Sequence, residues 1–299
     1  MRTSYLNSEF FSRLETTALN LRPELAGFFG GKHLVKTYGQ TVEFADYREY
    51  MLGDDIRRID WNLYSRFEKY FLKLFTDERQ MHTRIFLDCS ASMGKVYPEK
   101  GAYAIAFAAA LGFLSVHNMD KLTIRLIEGD KAVNPFGTIV GKNSFFRAVG
   151  DLDKIEFEGD SNLEKAIIEC DDQGRNDGLT VIISDFFTED DWKKAVDYLL
   201  YKKRQVALIQ IIAPQEADPS YSGRVTLIDS EADGIEDVRN MKMNITRSML
   251  SAYEEALHDY IYDMRAFCVT RGVGIVNVSC DSPIEKAIFE QLMNIGITE

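Results

Sequence analysis

From Thr83 to near the C-terminus, short runs rich in β-branched residues alternate with stretches of helical period, and few folds accommodate that rhythm. The run TRIFLD ends at Asp88, LTIRLIE occupies Leu122 to Glu128, LTVIISD ends at Asp185, VALIQII follows, and GIVNVS closes the series. Helices are predicted between them, at about Glu99 to His117, Ser144 to Leu152, Leu163 to Cys170, Asp190 to Arg204 and Thr246 to Arg271, with a last one from Ile284 to Asn294. AVNPF (Ala132 to Phe136) reads as an edge strand because Pro135 cannot donate to a ladder, and VTLI (Val225 to Ile228) reads as another short strand. Apolar strands joined through helices form a mostly parallel sheet covered on both faces. The expected class is therefore α/β, with three layers in the order αβα. Within it, AYAIAFAAALGFLSV (Ala102 to Val116) is too short to span a bilayer without strain and reads as a helix buried on nearly every side.

The first eighty residues break the pattern. A helix from about Ser8 to Leu21 leads into the glycine-rich turn GFFGGKH, and a stretch dense in aromatics and paired charges follows. Residues 1–80 are thus expected to be a helical and irregular extension packed on a domain spanning 81–299. The length of 299 residues and a hydrophobic content of 45% suit one large domain with such an appendage. A net charge of −12 and the lack of a long basic run argue against nucleic acid and favour a cation or a basic partner face. Cys89, Cys170, Cys268 and Cys280 form no CxxC pair and read as free thiols in a reducing compartment. The polar start MRTSYLNSEFFSRLE lacks the apolar core of a signal peptide. A cytoplasmic location without a membrane span is expected.

In open α/β sheets, ligands gather at the carboxyl ends of the strands. Two central strands here finish in aspartate. Asp88, Ser90 and Ser92 leave the first at alternate positions, so their oxygens can converge; Asp185 leaves the second. Ser161, in GDSNL, lies between them in sequence. Two carboxylates and three hydroxyls form an all-oxygen set suited to a hard divalent cation, magnesium or manganese, and two facing aspartates without a cation would repel. The competing reading is structural: Ser90, Ser92 and Ser161 are also residues that cap helices and turns.

Other constellations fail. A Walker A loop needs glycine where Ala26 stands and serine or threonine where His33 stands. His33, His82, His117 and His258 form no HExxH pair, and no GxSxG elbow is present. Tyr253, Tyr260 and Phe267, at helical spacing, read as core.

The set Asp88, Ser90, Ser92, Ser161 and Asp185 resembles the metal-ion-dependent adhesion site of von Willebrand factor A domains, with serine at 161 where threonine is usual. GKHLVKTYGQTVEF, YREYMLGDDIRRIDWNLYSR and FTDERQ are similar to the hallmark of the MoxR-associated von Willebrand A-like family, catalogued as domain of unknown function fifty-eight. The resemblance implies a von Willebrand A-like, Rossmann-like three-layer fold. It also implies a partner, a MoxR-type AAA+ ATPase, with the pair acting on a client in chaperone-like assembly or maturation. Within the hallmark, Asp54, Asp55, Arg57, Arg58, Asp60 and Trp61 admit two readings. One is a charge-paired clasp anchored by Trp61, which is favoured because buried opposite charges usually satisfy each other; the other is a docking surface for the ATPase.

The expected function is a non-catalytic, metal-dependent protein-binding adaptor. The alternatives are a magnesium-dependent phosphohydrolase using Asp88 as nucleophile and an extracellular adhesion module. The first is disfavoured because Ser90 stands where a general acid is needed, and the second because no export signal or paired cysteines are evident.

Overall fold

The computed structural model describes residues 5–20, 43–76, 81–170, 178–188, 190–219, 223–227, 241–284 and 286–288. The chain divides into two compact units, Gly30–Gln80 and the remainder. The first helix, α1 (Ser8–Asn20), belongs to the larger unit, where Phe10, Phe11 and Leu14 are buried in the core. The boundary expected at residue 80 groups this helix with the N-terminal segment, whereas its contacts group it with the larger unit. An amphipathic helix shows which face it buries but not which core receives it.

In the smaller unit, β1 (Glu43–Glu49) pairs antiparallel with β2 (Phe71–Thr76). A 3-10 turn at Ile56–Arg58 and a short helix, α2 (Trp61–Phe67), lie between the strands. Ile59 bridges Leu72, and both are buried.

The larger unit continues with β3 (His82–Asp88), α3 (Ala91–Gly94), α4 (Pro98–His117), β4 (Lys121–Glu128) and β5 (Lys131–Val133). Next come α5 (Lys142–Leu152), α6 (Leu163–Glu169), β6 (Leu179–Ser184), α7 (Trp192–Tyr201) and β7 (Gln205–Ile212). The described chain then runs through α8 (Pro214–Ala217), β8 (Gly223–Leu227), β9 (Met241–Ile245), α9 (Arg247–Arg271) and β10 (Gly274–Ser279).

Six of these strands form one sheet in the order β10-β7-β6-β3-β4-β5, parallel except for the edge strand β5. Alternate residues of each strand enter opposite cores, as a side-chain period of two requires. Ile85, Leu87, Val181, Ile183, Ile209 and Val276 pack with α1, α4 and α5, whereas Phe86, Ile182 and Leu208 pack with α6, α7 and α9. This is the three-layer αβα architecture, with a mostly parallel sheet, expected from the sequence.

Helix α4 has the length and apolarity of a membrane span, and 94% of its most apolar window is buried inside the protein. Gly112 makes that burial possible: a Cβ there would sit 2.8 Å from Leu122 and 3.0 Å from Phe145. Helix α9 starts at a Thr246 cap and stops at Gly272, whose φ of 66° is the left-handed geometry favoured after a helix.

Several boundaries differ from expectation. Val225, Thr226 and Leu227 of VTLI lie in β8, which pairs with β9 in a separate two-stranded sheet, and Ile228 lies outside the described residues. The edge strand ends at Val133, before Pro135. Helix α7 stops at Tyr201 because Lys203 takes a φ of 60° and Arg204 turns inward, donating to the carbonyls of Leu179 at 2.8 Å and His82 at 3.0 Å. Asp190 does not start α7; its carboxylate accepts from the Glu164 amide at 2.7 Å, in the first turn of α6. The turn GFFGGKH and the last predicted helix beyond residue 288 lie outside the described residues.

At the opposite end of the sheet from the strand-end aspartates, Asp120 accepts from the Met81 amide at 2.8 Å, and burial pushes its carboxyl up to about 6 from a reference of 3.8. The folded state therefore holds this proton more tightly than the unfolded chain. Its contribution to stability is complete below about pH 4 and is lost as pH rises through about 6. Asp120→Asn is expected to keep the amide contact and remove that loss. After discounting for solvent, it should gain about 1 kcal/mol at pH 7 relative to the native chain and nothing at pH 4. Urea denaturation at both pH values checks this.

Candidate functional site

Strand order reverses direction on either side of β3, so the crevice between the ends of β3 and β6 is the topological switch point of the sheet. Asp88 is the last residue of β3, and Asp185 follows the last residue of β6. The register Leu87↔Ile183 places Ser184 beside Asp88, and the Ser184 hydroxyl donates to Asp88 Oδ2 at 2.6 Å. The other oxygen of Asp88 accepts from the Ser90 amide at 2.9 Å. Asp185 Oδ1 accepts from the Phe187 amide at 3.0 Å, and Phe186 between them has a φ of 60°.

The third stretch is stitched to the first. Ala91 N donates to Gly159 O at 2.9 Å, and Glu158 N donates to Cys89 O at 3.0 Å. On the far side, Gly129 bridges Ser161. The loops carrying Asp88, Ser90 and Ser92, Ser161, and Asp185 thus meet at one end of the sheet.

The hydroxyls are not spent on helix caps. Ser90 stands at the N-cap of α3 without making a side-chain cap bond, and its Oγ lies 3.0 Å from Ser92 Oγ. Asn162, not Ser161, caps α6 by accepting from Lys165 N at 2.9 Å. Ser161 Oγ is buried and has no hydrogen-bond partner. The capping reading of these serines therefore does not describe their side chains.

Sequence reasoning missed two charged residues of this crevice. Lys100, in the first turn of α4, is fully buried; its Nζ donates to Asp185 Oδ2 at 2.7 Å and to Glu216 Oε1 and Oε2 at 2.8 and 3.0 Å. Glu216, on α8 just beyond β7, also accepts from the Ala213 amide at 2.7 Å. Burial, and then the Asp185 carboxylate, push the Asp88 carboxyl above the usual carboxylate range, and the Ser184 hydroxyl opposes them without reversing the shift. Burial works against the Lys100 ammonium, but Asp185 and Glu216 outweigh it and hold its pKa above the ordinary lysine value.

Beneath the crevice, Gln210 donates to Asp185 O at 2.9 Å and accepts from Asn277 at 2.6 Å. From α9, Tyr260 donates to Phe186 O and Tyr253 to Glu216 O. Tyr253 is exposed, contrary to its expected core role, and its hydroxyl reaches the Glu216 carbonyl on α8.

Among the described residues, no group of three or more His, Cys, Asp or Glu side chains is arranged to hold a metal. The donor set here is different, two carboxylates completed by hydroxyls. It fits a divalent cation on two counts. Ser161 Oγ lacks a partner, and Lys100 pairs with Asp185 and Glu216 only, so Asp88, which lies against Asp185, has no cationic partner of its own among the described residues.

In the smaller unit, the hallmark charges have local partners. Asp54 pairs with Arg48, six residues earlier in the hallmark, at 2.9 and 2.8 Å, and that guanidinium holds the Asp54 carboxyl below its ordinary value. Asp55 accepts from the Arg57 amide at 3.0 Å. Asp60 caps α2, accepting from Asn62 N at 2.9 Å, and takes the Tyr47 hydroxyl at 3.2 Å. Trp61 is 57% exposed and meets Tyr64 and Tyr70 edge-on within the same unit. The Arg58 side chain lies outside the described residues. Asp55 and Asp60 thus act as caps of the turn and the helix that follow them, as aspartates before helical turns commonly do.

Comparison with known proteins adds the family. Two uncharacterized mycobacterial proteins, Rv1480 of Mycobacterium tuberculosis (strain ATCC 25618 / H37Rv) and Mb1516 of Mycobacterium bovis (strain ATCC BAA-935 / AF2122/97), are each 28% identical over 224 residues, covering 73% of this chain and 70% of theirs. Among solved structures, an aerotolerance-related membrane protein from Bacteroides fragilis NCTC 9343 aligns at a TM-score of 0.42 and 16% identity, over 72% of this chain and 99% of that one. BatB from Bacteroides thetaiotaomicron aligns at 0.41 and 16%, over 72% and 98%. The family described as "Protein of unknown function DUF58" matches residues 46–258, most of both units, and the chain belongs to that family.

Proposed function

We propose that this chain is a non-catalytic adaptor that holds one divalent cation, magnesium or manganese, and through it binds a protein partner. Asp88, Ser90, Ser92, Ser161 and Asp185 would hold the ion directly or through water. The bound ion supplies a Lewis-acidic position that can accept an acidic side chain. The observation that carries the reading is the buried, unpartnered Ser161 Oγ on a loop joined to the end of β3, where the buried Asp88 carboxylate lies against that of Asp185. Asp88 is a poor nucleophile in this arrangement, since it is fully buried and both its oxygens already accept hydrogen bonds. That weighs against the phosphohydrolase.

The proposed partner is a MoxR-type AAA+ ATPase in the cytoplasm, acting with this chain on a client protein. The test is a pull-down from native lysate on the tagged full chain, with magnesium or with EDTA. Recovery of the ATPase in magnesium, and its loss both with EDTA and in a Ser90→Ala/Ser92→Ala variant, is expected. Those hydroxyls cap nothing, so the variant should fold. Equal recovery in all three conditions would sink the proposal.

A further inference from the structure

We infer that Lys100 is a built-in counter-ion that sets which cation charge the crevice accepts, favouring a divalent ion over a trivalent one. This rests on the cation reading above and deepens it. Lys100 sits in the first turn of α4, where the helix dipole disfavours a positive charge. A lysine at a helix end ordinarily runs its stem along the surface and keeps its ammonium in water. Here the side chain is 0% exposed and its ammonium contacts one carboxylate at the end of β6 and another on α8. Neither helix preference nor solvation places it there; the two carboxylates do.

Glu216 is itself fixed by the Ala213 amide, so the ion pair is a constructed feature and not a mobile surface contact. When a cation binds and Asp88 ionises, Asp88, Asp185 and Glu216 together with Lys100 leave two negative charges, which one divalent ion cancels. A trivalent ion would leave an unbalanced positive charge in a buried setting. Removing the ammonium leaves three negative charges and should favour the trivalent ion. Removing a carboxylate charge should do the reverse.

The experiment titrates Mn2+ and Tb3+ separately into the full chain by calorimetry, in the native form, Lys100→Met and Glu216→Gln. Relative to the native chain, Lys100→Met should shift the preference toward Tb3+ by about tenfold or more, and Glu216→Gln should shift it about as far toward Mn2+. Opposite shifts of this kind support the assignment. An unchanged preference in both variants, with native Mn2+ binding intact, overturns the role of Lys100 and leaves the cation site standing. Failure of the native chain to bind Mn2+ overturns both. If Lys100→Met does not fold, Glu216→Gln decides alone, because glutamine keeps an acceptor for the Ala213 amide.

Discussion

Lys100→Met is expected to lower the stability of the cation-free protein by about 3–5 kcal/mol. The ammonium and the Asp185 carboxylate are 0% and 1% exposed and 2.7 Å apart, so removing one strands the other away from water. A buried ion pair as a whole contributes little net stability, since burying both charges offsets most of their attraction. Losing one member is different, because the desolvation already incurred is no longer compensated. Methionine nearly matches the volume of the lysine stem, so the loss reports charge and not a cavity. Glu216→Gln should cost much less, about 1 kcal/mol, since the glutamate side chain is 17% exposed and glutamine still accepts hydrogen bonds. Urea denaturation in EDTA measures both, and a Lys100→Met loss below that of Glu216→Gln contradicts the account.

Asp88→Asn should separate stability from cation binding. Burial and the neighbouring Asp185 both oppose a charge at Asp88, so the neutral amide relieves a repulsion while its oxygen can still accept from the Ser90 amide. Without cation, the variant should be at least as stable as the native chain. With Mg2+ at a hundred times its dissociation constant, the native chain should gain about 2.7 kcal/mol by mass action, and the variant should gain nothing. Thermal or urea denaturation with and without Mg2+ reads the difference directly. A gain of equal size in both would place the ion elsewhere.

The legibility of this protein in its sequence is uneven, for physical reasons. Strands buried on both faces announce themselves as β-branched runs, and α4 as an unbroken apolar stretch, because burial selects composition locally. Asp88 and Asp185 were legible because each ends such a run, and Ser90 and Ser92 because they share its phase. Lys100 was not. One lysine at a helix start looks like ordinary end charge, and its partners lie 85 and 116 residues away. Ser184 was also passed over, because a serine one residue before a strand-end aspartate carries no pattern, yet its hydroxyl joins the two strand ends. The hairpin of the smaller unit mixes charges with aromatics, which blurs the period of two.

The order of residues alone determined the layered α/β class, the two strand-end aspartates and the family hallmark, since each depends on neighbours a few positions apart. Only the tertiary structure decided which serines act as caps, that Ser161 Oγ is left without a partner, and that a buried ammonium sits against Asp185 and Glu216. Secondary structure is selected by periodicity along the chain. Compensation of a buried charge depends on which distant segments the fold brings within about 3 Å, and no local pattern records that.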